Sequence, residues 1–124
     1  MKIALTLHTL ALAVYGLALL FIPDTFLALY AVSLSPGAAT AIRFLGGLAT
    51  GNAILSWLVR DQPGSDSLRA IWLVFAFDWL VILIAGVFGQ FANTMNALGW
   101  STVVLAAVWT GVFGYLRFMK AQGR

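Results

Sequence analysis

The sequence predicts an all-α integral membrane protein: a four-helix bundle with short loops and both termini in the cytoplasm. Three observations lead there. First, 62% of the 124 residues are hydrophobic and 9% are charged, whereas a soluble domain averages about 25% charged. So few charges cannot build a water-facing surface, and the surroundings must be mostly lipid. Second, the apolar residues fall into four runs, each near the roughly 20 residues that cross a bilayer as a helix. Third, the net charge of +3 comes mainly from cations at the ends of these runs. That is the pattern of membrane topology rather than of nucleic-acid binding.

The reading is of one four-span domain over residues 1–124, with spans at about 3–22, 38–59, 69–90 and 98–116. The first run, Ile3 to Ile22, follows Lys2 and closes at Pro23-Asp24. It is longer than the roughly 7–15 residues of a secretion-signal core, and no small-x-small cleavage site follows it. Asp24 to Val32 is too short to span. Pro23-Asp24 suits the start of a short helix lying at the membrane surface, with Tyr30 at headgroup level. Ser35-Pro36-Gly37 then announces the second span: serine caps free amides and proline fits the first helical position. That span ends at Arg60-Asp61-Gln62-Pro63-Gly64-Ser65-Asp66-Ser67, the one strongly polar loop. Pro-Gly makes its turn, and Ser65, Asp66 or Ser67 can cap the third span. A short Asn-containing link, Phe91 to Ala97, leads to the fourth. Arg117, Lys120 and Arg124 stop it.

With four spans, Lys2, Arg60, Arg69, Arg117, Lys120 and Arg124 all fall on one side, and the positive-inside rule makes that side the cytoplasm. Trp57 and Trp72 are then expected near the inner interface and Trp100 near the outer one. The expected location is the cell membrane of a bacterium, the inner membrane.

The polar residues inside the spans carry what functional signal there is. Asp78 sits about 14 Å from the inner interface, too deep and too short to reach water. An aspartate there costs roughly 2.5–3.5 kcal/mol unless protonated or paired. Arg43, about 8 Å below the outer interface, can snorkel outward or reach toward Asp78. Asp78 reads either as a proton- or ligand-binding carboxylate or as half of an ion pair or hydrogen bond that locks two helices. His8 is the single histidine. Tyr15 follows seven residues later on the same face. His8 suits an axial ligand to a porphyrin or chlorin, a proton relay, or a hydrogen-bonded residue between helices. Asn52 lies on the opposite side of its helix from Arg43, shares a stripe with Ser56, and suits a helix–helix hydrogen bond or an oligomer contact.

Small residues line the spans. Gly46, Gly47 and Gly51 on the second include a Gly-x-x-x-Gly pattern. Gly86 and Gly89 share the face of Asp78. Gly111 and Gly114 lie on the fourth span, where Thr102, Ala106, Thr110 and Gly114 recur every four residues. Lipid gives no hydrophobic drive between helices, so such residues serve close backbone packing.

Several chemistries are excluded or unsupported. Cysteine and glutamate are absent, so disulfides, thiolate chemistry and paired glutamates are ruled out. One histidine cannot make a zinc site, which takes three or four protein ligands. No phosphate loop, dinucleotide fingerprint or catalytic triad appears. No cofactor is required by the sequence.

The layout has a family resemblance. An apolar helix ends in proline and is followed by a short amphipathic link. Arg43-x-x-Gly46-Gly47 then opens the second span, a basic loop follows, and Gly99-Trp100 enters the last. This resembles the small four-helix bacterial membrane proteins of unassigned function, including the DoxX-like type. The resemblance implies a four-helix membrane bundle and no functional residue.

The leading expectation is therefore a non-enzymatic accessory or scaffolding subunit that packs against other membrane subunits or copies of itself. Two rivals stand beside it. One is a homo-oligomeric channel or carrier for protons, ions or a small solute, using Asp78, Arg43 and His8. The other is a binder of a quinone, pigment or lipid held by His8, Tyr15 or Asp78.

Overall fold

The computed structural model describes residues 1–118; Lys120 and Arg124, counted above among the terminating cations, lie outside the described residues. Among the described residues every regular element is a helix: α1 (Lys2–Phe21), α2 (Pro23–Ala28), α3 (Pro36–Val59), α4 (Asp66–Phe91) and α5 (Gly99–Phe118). Four of them, α1, α3, α4 and α5, are long and apolar enough to cross a membrane. The chain divides into two compact units, Met1–Gln62 and Pro63–Arg124.

In the first unit α1 and α3 run antiparallel, as three contacts along their length show. Lys2 meets Asp61, His8 meets Ser56, and Gly16 lies against Thr50. The buried face of α1 is Leu5, His8, Leu12 and Gly16. That of α3 is Ala39, Gly46, Ala53 and Ser56. Steps of three, four and seven keep one stripe on one side of a helix. The stripes are made of small and polar side chains as much as large apolar ones. In lipid, close approach and hydrogen bonding hold helices together, while bulky apolar residues can face outward.

The tightest point is a crossing of glycines. A Cβ placed on Gly46 would lie 2.5 Å from the Leu20 amide nitrogen and 2.8 Å from the Gly16 carbonyl oxygen. One placed on Gly16 would lie 2.7 Å from the Thr50 nitrogen. Backbone meets backbone here, and only hydrogen fits between.

Proline sets the entry to α2 and α3. Pro23 opens α2 directly after α1 and is buried. Pro36 opens α3 behind Ser35, whose hydroxyl accepts from the Ala38 amide at 3.2 Å, the expected cap. α2 ends in a Schellman turn: the Val32 amide donates to Leu27 O and the Ala31 amide to Ala28 O, both at 3.0 Å. The turn needs a left-handed residue, and Ala31 takes that place with φ 59°. The turn carries Tyr30 back onto α1, so Tyr30 is buried at 6% exposure instead of facing headgroups.

In the second unit Ser65 caps α4, accepting from the Leu68 amide at 3.1 Å, so this helix starts at Asp66, ahead of the expected span. It stops at a second Schellman turn, with Asn93 left-handed at φ 54° and the Thr94 amide on Gly89 O at 3.0 Å. Asparagine tolerates this conformation better than alanine does. α5 returns antiparallel along α4. Trp72 stacks on Phe113 with ring centres 5.7 Å apart, Phe113 stacks on Trp109 at 5.7 Å, and Trp109 faces Trp79 at 6.5 Å. Phe75 closes on Phe113 at 5.1 Å. Trp72 thus belongs to this aromatic seam and is 3% exposed, packed against α5 rather than facing outward. Trp57 and Trp100 do remain exposed.

Candidate functional site

The polar centre of the first unit is built from α1 and α3. His8, the residue three after Leu5 on the buried stripe, is fully buried at 0% exposure, as is Ser56. The His8 Nδ1 lies 3.0 Å from the Ser56 Oγ, and the Ser56 hydroxyl donates to the Leu5 carbonyl at 3.2 Å. A hydroxyl has one proton. With that proton on Leu5 O, Ser56 must accept from His8, so Nδ1 carries hydrogen. The polarity is the reverse of a nucleophilic serine–histidine pair, in which the ring accepts the serine proton. The geometry therefore ties two helices together through imidazole, hydroxyl and backbone carbonyl. In lipid such a bond contributes about 0.6–2 kcal/mol.

Asn52 lies one turn before Ser56 on α3 and is half-buried. Tyr15, though on the face of His8, takes part in a different cluster. Its hydroxyl lies 3.1 Å from that of Tyr30, and Phe26 packs edge-on against it at 5.4 Å and against Tyr30 at 5.7 Å. The structure thus assigns His8 and Tyr15 to two separate contacts, one joining α1 to α3 and one fastening the α2 segment.

Arg43 is exposed on α3. Within its unit the ion pairs are those of Asp61, whose carboxylate meets Lys2 Nζ at 2.7 Å and Arg60 Nε at 3.1 Å. Lys2 first, and then Arg60, hold the Asp61 carboxyl below its ordinary value of 3.8. Arg60 also lies over the Trp57 ring, 3.0 Å from its centre. Asp78 lies in the second unit, half-buried on α4 beside Trp79.

The glycines divide. Gly46 is the packing residue, while a Cβ at Gly47, Gly51, Gly111 or Gly114 would meet nothing within 4 Å. At Gly86 it would touch Val103 at 3.0 Å, and at Gly89 it would press on Met95 at 2.9 Å. Two residues that matter were not singled out from sequence: Gly16, the counterpart of Gly46, and Ser56 as the partner of His8. Aligning the first and second spans as an antiparallel hairpin would have placed both pairs level. Among the described residues no group of three or more metal-ligating side chains gathers.

Fold and site together define a class: an all-helical protein with four helices fit to cross a membrane and polar groups tied between helices. No family model, curated protein or solved structure matches the chain.

Proposed function

We propose that this is a multi-pass membrane protein, both termini cytoplasmic, that serves as a non-enzymatic accessory or scaffolding subunit. The observation that carries the reading is the side of α3 formed by Arg43, Gly47 and Gly51. These residues are spaced by fours, so they share a side of the helix. All three are exposed, and both glycines have open space beside them. The flanking Phe44 and Leu48 are 71% and 68% exposed. A small-residue groove with a cation at one end fits a second membrane helix that brings a hydrogen-bond acceptor or an acid. The mutual satisfaction of His8, Ser56 and the Leu5 carbonyl supports a structural rather than a catalytic use of the interior polar groups.

The test is the mass of natively extracted protein in mild detergent, beside Gly47→Leu and Gly51→Leu variants. The expected result is a complex larger than one chain, reduced to the monomer by either leucine while the melting temperature holds. A colourless wild-type monomer overturns the reading. Proton or solute flux in liposomes that disappears in Asp78→Asn would favour the carrier instead. Topology is read separately. The chain has no cysteine, so Ser67→Cys and a cysteine in the C-terminal tail should both label only from the cytoplasmic face.

A further inference from the structure

At one end of the second unit two arginines stand on neighbouring helices. The seam fixes their level: Trp72 and Phe75 of α4 meet Phe113 of α5, and the next turn outward on each helix brings Arg69 and Arg117. Arg117 continues the buried stripe of Val103, Ala106 and Phe113 on α5. Arg69 flanks the stripe of Leu68, Trp72 and Phe75 on α4. Both Nε atoms are buried and have no hydrogen-bond partner among the described residues. An arginine Nε–H withdrawn from water and left unmatched favours an acceptor nearby, and the Arg69 side chain as a whole is still 34% exposed and open to one. The ion pair with Asp66 does not meet it: Asp66 lies 3.7 Å from Arg69 Nη1 and is 92% exposed. The end also holds the N-terminus of α4, whose free amides favour an anion.

Directly inward from Arg69 on the same side of α4 come Leu73 and Phe77, at steps of four. They are 45% and 63% exposed. A cationic fork above an apolar ridge matches a molecule with an anionic head and a hydrocarbon tail. We propose that Arg69 and Arg117 together bind the phosphate of an anionic phospholipid, whose acyl chain runs along Leu73 and Phe77. The phosphate oxygens accept from the guanidinium groups, and no bond to the lipid is made or broken. The site rests on the membrane-spanning reading above, and it implies that the lipid is a specific ligand of this end of α4 and α5. Paired arginines on one headgroup make a forked, charge-assisted contact that a zwitterionic lipid satisfies less well, because its own cation opposes them.

The experiment uses full-length protein in nanodiscs of phosphatidylcholine alone, or of an equal mixture with phosphatidylglycerol. Lipids retained after extraction into detergent are counted by native mass spectrometry. Wild type should retain phosphatidylglycerol about thirtyfold over phosphatidylcholine, the scale of two cations at about 1 kcal/mol each near a membrane surface. It should also melt higher in the mixed discs. Arg69→Gln or Arg117→Gln should each diminish both effects, and the double variant should abolish them. Equal retention of the two lipids by wild type overturns the proposal without need of any variant. So does an undiminished preference in the double variant, or a melting shift reproduced by inorganic phosphate in phosphatidylcholine discs. Protein that does not enter nanodiscs at all refutes the membrane reading itself, and this proposal with it.

Discussion

Two adjacent glycines should respond in opposite ways to the same methyl group. In Gly46→Ala the new Cβ falls 2.5 Å from a backbone nitrogen of α1, where ordinary contact starts at 3.4 Å. Neither partner is the end of a flexible side chain, so the two helices must part by about 1 Å. A gap of that size forfeits up to about half of each dispersion contact along the seam. Overpacking of a filled site costs about 1–3 kcal/mol, and the better helix propensity of alanine returns about 1 kcal/mol at most. The expected net loss is about 1 kcal/mol, and about 2 kcal/mol at the upper end of the overpacking cost. In Gly47→Ala the methyl meets nothing of its own chain within 4 Å, so in the dissociated monomer only the propensity gain remains and stability should hold or rise slightly. Reversible unfolding in mixed micelles by titrated denaturing detergent, followed by far-UV circular dichroism, measures both. Equal stability of the two variants, or a larger loss at Gly47, would refute the antiparallel register of α1 and α3 and the glycine crossing built on it.

Three further outcomes are expected. Ser56→Ala removes the acceptor of a fully buried His8 and the donor to Leu5 O; the same unfolding assay should show a loss of about 1–3 kcal/mol. Ala31→Gly relieves a left-handed alanine, worth about 1–2 kcal/mol, and gives back about 0.4–1 kcal/mol in unfolded-chain entropy, so α2 should gain hydrogen-exchange protection in residues 24–32. Asp61 has its folded value depressed by Lys2 and Arg60. Its contribution is therefore complete above its unfolded value of 3.8 and fades as pH falls through the lower folded one. Acid titration of stability should show this small limb, Asp61→Asn should erase it, and added salt should shrink it because the pair is exposed.

The sequence and the structure agree where the signal is local. Ser35 and Ser65 cap helices because hydroxyls followed by apolar runs can satisfy free amides whatever surrounds them. Pro23 and Pro36 mark helix starts for an equally local reason, the fixed φ of proline. The inward faces were harder to read. In water, a stripe of apolar residues reveals the buried side of a helix. In a helix that is apolar all round, that contrast is gone. Gly46 and Gly47 are neighbours of the same type, and only the position of α1 distinguishes them. Trp72 looked interfacial from its depth, and only the position of α5 shows that it packs on Phe113. Tyr30 turned inward because the left-handed Ala31 reverses the chain, and nothing in alanine advertises a left-handed turn. His8 was recognised as a candidate for a helix–helix hydrogen bond, but its partner depends on register between spans, a long-range quantity.

The ladder of Trp72, Phe113, Trp109 and Trp79 gives the protein a built-in optical readout. Of the five tryptophans, Trp57 alone belongs to the first unit, and it sits under the Arg60 cation. Near-ultraviolet dichroism and emission will thus report chiefly on the α4–α5 half. Loss of order between α1 and α3 will pass almost unseen unless the fluorescence of Trp57 is isolated. Replacing the four indoles of the second unit with phenylalanine would leave one lamp, Trp57, to report the first half, while the unaltered protein reports chiefly the second.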